Sequence, residues 1–165
     1  MGNKNMLVTS VILTVAAVGQ IVSAIVFYDP EGNPNLINTG WGVMMLSAIF
    51  GWLPIFTFRR KGKVEGRGYI RTTVLVDSGV YAIVRHPQYL AGILMNLALA
   101  MITFHWLVVL LGLVAAPIYY LDTFQEEKGC IEKFGEGYQR YMERVPRLNF
   151  ILGIVRLIRY RRASS

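Results

Sequence analysis

The sequence holds a single cysteine, Cys130, so no disulfide forms within the chain. It holds only two histidines, His86 and His105, and no Cys/His cluster at metal-ligand spacing. It lacks a G-x-G-x-x-G turn and a P-loop, the signatures of the common phosphate-cradling α/β domains. Acidic residues are few: ten Asp and Glu stand against 17 Lys and Arg, for a net charge of +7. In a soluble protein that balance would point to nucleic acid. The apolar content decides otherwise. Of 165 residues, 54% are hydrophobic, more than a soluble domain of this length carries. They are gathered into long uncharged runs, which read as membrane spans. No internal repeat or low-complexity tract is visible. The first run is too long for the h-region of a cleavable signal and reads as a retained span.

The fold expected is all-α and polytopic: one integral membrane domain over 1–165, with spans at about 6–28, 36–58, 87–104 and 106–124. Ala16, Ala17, Gly19, Ser23 and Ala24 allow close helix contact in the first span, and Gln20 is expected to face another helix. Ser47 and Gly51 form a small-xxx-small pair in the second, and Pro54 is placed to kink or loosen it. The run Arg59-Arg60-Lys61-Gly62-Lys63 stops that span, and the chain to Arg85 reads as a loop with at most a short interfacial piece. Leu90 to Leu121 is almost uncharged, and one straight helix of that length would extend roughly 48 Å. That exceeds the hydrocarbon core of about 30 Å, so a hairpin turning near residues 103–106 is expected. The last span should continue out of the membrane and break at Gly135 and Gly137. A short helix ended by Pro146 follows, then an apolar, basic tail over 150–162 that suits the headgroup layer.

Charge sets the orientation. Lys4 precedes the first span, seven basic residues lie between spans two and three, and nine follow span four. With four spans all 17 fall on one side, the cytoplasmic one, with both termini. Membrane orientation thus explains the +7 charge, and nucleic acid is not an expected partner. The two histidines fall on opposite sides, so no metal site is expected.

Chemistry-bearing residues collect in two groups on the basic side. Arg85, His86 and Tyr89 stand where the loop becomes an apolar helix, and ionisable groups at that depth usually have a task. Pro87 suits the first turn, and the helix N-terminus behind it suits an anionic group. Interfacial anchoring on lipid phosphate is the alternative for Arg85 and His86. The second group is Glu126, Glu127, Tyr138, Tyr141, Arg144 and Arg147. A hairpin of helices three and four would make the groups neighbours. Glu126 and Glu127 point about 100° apart, so one is expected to face the site while the other holds a basic side chain. Tyr138 and Tyr141 share a helix face, turned either to the site or to the headgroup layer. Asn96 is expected to bond a neighbouring helix, Cys130 to pack, and His105 to lie in the outer turn.

Val84-Arg85-His86-Pro87-Gln88-Tyr89-Leu90-Ala91-Gly92, after Gly79-Val80-Tyr81, resembles the R-H-P-x-Y-x-x-G region of the isoprenylcysteine carboxyl methyltransferase family. Glu126-Glu127, Phe134-Gly135, Tyr138, Tyr141 and Val145-Pro146-Arg147 resemble that family's second motif, a pattern that phospholipid methyltransferases share. Together the motifs cover about 75–147. The resemblance implies methyl transfer from S-adenosyl-L-methionine at the cytosolic interface to a lipophilic acceptor, prenylcysteine carboxylate-like or related. It implies His86, Tyr89, Leu90, Gly92, Glu126, Glu127 and Tyr138 as cofactor-site residues. It assigns catalysis to Arg85, Glu127 and Arg144, with Arg144 or Arg147 near the acceptor or the cofactor carboxylate. The chain is shorter than the eukaryotic carboxyl methyltransferases, whose extra N-terminal helices help recognise the prenyl group. Membrane sterol-type reductases end in a similar pattern and use NADPH, though they are much larger. A lipid-binding scaffold without catalysis is the third reading.

Overall fold

The computed structural model describes residues 2–61 and 74–163; most of the expected basic loop, at 62–73, lies outside them. Among the described residues the regular structure is all helical, with no strand. Six α-helices follow in order: α1 (Gly2–Val26), α2 (Pro34–Lys61), α3 (Pro87–Thr103), α4 (Trp106–Phe134), α5 (Glu136–Arg144) and α6 (Phe150–Ala163), with a 3-10 turn at Gly79–Ala82 before α3. Among the described residues, three stretches are long and apolar enough to cross a membrane: Val8–Val26, Pro34–Arg60 and Trp106–Phe134. Helix α3 is apolar but shorter, 17 residues or about 25 Å. Pro54 sits inside α2 without ending it.

The expected hairpin is present. Helix α3 stops at Thr103, Phe104 takes a left-handed backbone (φ 46°), and α4 begins at Trp106. The Nδ1 of His105 accepts a hydrogen bond from the Leu107 amide at 3.4 Å, which helps satisfy the new helix start. Helix α4 then runs 29 residues to Phe134, about 43 Å, and so outlasts its apolar part. It ends where Gly135 adopts φ 55°, a conformation glycine enters without steric cost.

The chain divides into two compact units. The first comprises 1–48 and 91–122. Its packing inverts the soluble pattern. In α1 the inward positions are small or polar: Ala16, Gln20 and Ala24 are buried. The outward positions are large and apolar: Val11, Val15, Val18, Val22 and Ile25 are exposed. Helices in lipid gain by close backbone approach and interhelical hydrogen bonds, since lipid tails welcome apolar side chains. Gln20 Nε2 donates to the Asn96 and Val108 carbonyls at 3.1 and 3.0 Å. Ser47 Oγ donates to the Ala91 carbonyl at 2.8 Å. A Cβ at Gly112 would stand 2.9 Å from the Gln20 amide nitrogen, so the glycine makes room for that side chain.

The second unit comprises 49–90 and 123–165 and holds nearly all of the charge. Its core is Tyr138, Tyr141 and Val145, with Leu75, Cys130, Ile131, Phe134 and Met142 against them. Phe58 meets Tyr81 edge-on at 5.0 Å, and Phe50 packs on Phe150 at 5.3 Å. Helix α6 docks through Gly153, whose Cα lies against the Ile83 carbonyl with no space for a side chain.

Candidate functional site

The site grows from two backbone hydrogen bonds. The amides of Arg85 and His86 donate to the carbonyls of Pro146 and Arg147 at 3.1 and 3.2 Å. They tie the segment before α3 to the segment after α5. Val84 is fully buried, and Leu90 is buried one turn into α3. The His86 carbonyl accepts the first helical bond, from the Leu90 amide. His86 therefore sits at the start of α3, with Pro87 supplying the fixed φ of the first turn.

Glu127 is the centre. It is 3% exposed, and its carboxylate accepts from three cationic side chains. Arg85 Nη2 lies 2.9 Å away, His86 Nε2 3.2 Å and Arg147 Nε 3.1 Å, with Arg147 Nη2 on the second oxygen. Glu126, one residue earlier, is half exposed and sets Oε2 3.5 Å from His86 Nδ1. Tyr89 meets the His86 ring edge-on at 5.6 Å, and its hydroxyl bonds the Glu126 carboxylate. Both imidazole nitrogens thus face carboxylates. Burial alone would lower the His86 pKa, but its bonds to Glu126 and Glu127 outweigh that and hold it above the ordinary value of 6.5. The Arg147 guanidinium lies 3.6 Å over the Phe124 ring, which orients it toward Glu127.

With His86 protonated the cluster sets three positive groups against two carboxylates. Arg85 Nη1 donates to the Met142 carbonyl at 2.9 Å, while its Nε is buried with no partner. That leaves one cation in surplus and one guanidinium N–H without a partner inside the cluster.

The structure thus brings Arg85, His86, Tyr89, Glu126, Glu127 and Arg147 together, the convergence expected from the two motifs. Both acidic residues reach His86, and the buried Glu127 is the one that holds the basic side chains. Tyr138 and Tyr141 turn inward: Tyr138 bonds the Cys130 thiol, and the Tyr141 hydroxyl donates to the Tyr81 carbonyl at 2.7 Å. Burial pushes both phenols above the ordinary tyrosine range. Arg144 is placed elsewhere. It pairs with Asp77 at 3.1 Å, half exposed, and Arg147 has the position beside Glu127. Gly92 belongs to the first unit, where a Cβ would stand 2.8 Å from the Tyr119 ring; glycine lets that ring lie on the α3 backbone. Sequence reasoning missed Phe124 and Asp77. Phe124 stands three residues before Glu127 on one helix face, a spacing that could have found it. Nothing local marks Asp77.

An all-helical membrane protein with a buried, mostly cationic cluster is the class that the fold and site define. A family model described as Phospholipid methyltransferase matches residues 36–137, more than half of the chain, and the chain belongs to that family, which indicates a membrane methyltransferase. The match takes in Arg85–Gly92 and Glu126–Glu127 and ends before Tyr138 and Arg147. No curated protein and no solved structure matches the chain.

Proposed function

We propose that the second unit binds S-adenosyl-L-methionine and that the chain methylates a lipophilic acceptor at the cytoplasmic face of the membrane. The observation that carries this is the Glu127 cluster, with a buried Arg85 Nε lacking a partner, in a chain of a methyltransferase family. The donor set fits the cofactor. Arg85 would hold its carboxylate. Glu126, half exposed beside Tyr89, would take its ammonium or ribose hydroxyls. When bound, the cofactor supplies an electrophilic methyl group on a sulfonium.

The chain's own residues hold the reactants. Glu127 is a positioning residue: it fixes Arg85, His86 and Arg147 by charge-assisted hydrogen bonds. Arg147, braced on Phe124, faces the same cluster and takes the role that the sequence divided between Arg144 and Arg147. Holding two reactants in line is worth about 7–11 kcal/mol of barrier in favourable cases. A carboxylate acceptor of the prenylcysteine kind requires no base. An amine acceptor must first lose a proton.

Calorimetric titration of the purified, detergent-solubilised protein with S-adenosylhomocysteine, and with NADPH in parallel, tests the reading. Saturable binding of S-adenosylhomocysteine alone is expected. His86→Ala and Glu126→Ala should each abolish it in protein that remains folded. NADPH binding alone would transfer the chain to the reductase reading, and binding of neither to the scaffold reading.

A further inference from the structure

Helix α6 has a packed stripe and two exposed ones. At about 100° per residue, Phe150, Gly153 and Leu157 share the packed side. Ile151, Ile154, Val155 and Ile158 share an outward side and are all exposed, an apolar stripe of the kind that lies on a bilayer. Arg156 and Arg159 stand beside that stripe. Next to them, within the second unit, is a cavity of about 320 Å³. Ala82, Val145 and Leu157 give it apolar walls, and Arg144, Arg156 and Arg159 are among the residues that line it. Glu143 is its one acidic side chain. Arg156 Nη1 donates to the Glu143 carbonyl at 3.1 Å, which ties this arginine to α5. Among the described residues no carboxylate pairs with Arg156 or Arg159. Arg144 has Asp77, but both are half exposed, and such pairs exchange readily for other partners.

We propose that this cavity binds the phosphate of an anionic phospholipid from the surrounding bilayer, at a place separate from the Glu127 cluster. Charge complementarity carries the assignment. Three arginines line one opening against a single glutamate, and guanidinium matches phosphate geometry through paired N–H donors. The neighbouring apolar stripe commits the occupant to a lipid, because a free phosphate would have no use for it. A zwitterionic headgroup would bring its own cation against the arginines. The proposal does not depend on the methyl-transfer reading.

Native mass spectrometry of the full chain in detergent, titrated with phosphatidylglycerol and phosphatidylcholine of the same acyl chains, tests it. The unsubstituted protein should bind the anionic lipid roughly tenfold more tightly. The Arg156→Gln, Arg159→Gln pair should reduce that preference to about twofold or less. The Arg161→Gln, Arg162→Gln pair, with the same loss of charge farther along α6, should keep it. Arg156→Lys with Arg159→Lys should restore only part, because lysine keeps the charge without the fork. Equal losses in the two glutamine pairs would show diffuse attraction and overturn the site. So would equal binding of the two lipids, or full competition by inorganic phosphate at equal concentration.

Discussion

At the scale of single residues, Glu127 is where structure and chemistry meet. It is nearly inaccessible and is the shared acceptor of Arg85, His86 and Arg147. Removing one partner of a buried ionic group leaves the others uncompensated, at a cost of about 3–5 kcal/mol. Glu127→Gln should therefore lower thermal stability by that order in detergent, measured by unfolding at fixed lipid. His86→Gln should cost less, about 1–2 kcal/mol, because Glu127 keeps two arginines. The pH dependence separates the two. The pKa of His86 is raised above 6.5 in the folded chain, so its stabilisation is complete below that value and fades as pH climbs through the raised one. The stability difference between the unsubstituted protein and His86→Gln should shrink over that rise; a constant difference would show that His86 is not charged in the fold. Much of this cluster was legible in the sequence, since Arg85, His86 and the two glutamates announce themselves as ionisable groups beside apolar runs. Arg147 was harder to separate from Arg144. Which arginine reaches Glu127 is decided by hydrogen bonds from the Arg85 and His86 amides to residues 146 and 147, far apart in sequence.

At the scale of elements, glycines divide into those that seat a helix and those that do not. Gly153 is pressed on the Ile83 carbonyl, so any side chain there forces α6 off its seat. Gly153→Val should expose the segment before α6 and speed proteolytic cleavage after Arg147, while cleavage elsewhere stays unchanged. Gly137 in α5 has no atom within 4 Å of a built Cβ. Gly137→Ala should stabilise by about 0.5–1 kcal/mol, through helix propensity and a less free unfolded chain. Cleavage and melting curves on the two variants would check both signs. Helix positions were readable because uncharged runs, a 32-residue stretch too long for one span, and the Gly135 break are all local signals. The inward turn of Tyr138 and Tyr141 was not. Their three-residue spacing fixes a shared face, but only tertiary packing decides whether that face meets the core or the headgroups.

At the scale of the molecule, basic residues sort by unit. Apart from Lys4, every Lys and Arg belongs to residues 49–90 or 123–165, the second unit. Exposed aromatic side chains occur on both units: Tyr28, Trp41, Phe104 and Trp106 on the first, Trp52, Phe56, Phe124 and Tyr160 on the second. The basic asymmetry is what a chain with its basic segments on one side of the membrane would show. The weak link is α3, whose 17 residues reach about 25 Å against a core of about 30 Å. A short span is accommodated when the bilayer thins or flanking residues reach outward, each at modest cost. Accessibility labelling decides it. In a Cys130→Ser background, Phe104→Cys, at a residue 80% exposed, should react with an impermeant maleimide added outside intact cells. Arg162→Cys should react only after the membrane is opened. External reaction at both positions would reverse the tail and overturn the common cytoplasmic face. Reaction at Phe104→Cys only after permeabilisation would mean that α3 re-enters without crossing. That outcome would leave α1 and α2 as one spanning pair and put the α4 start on the side of the Glu127 cluster.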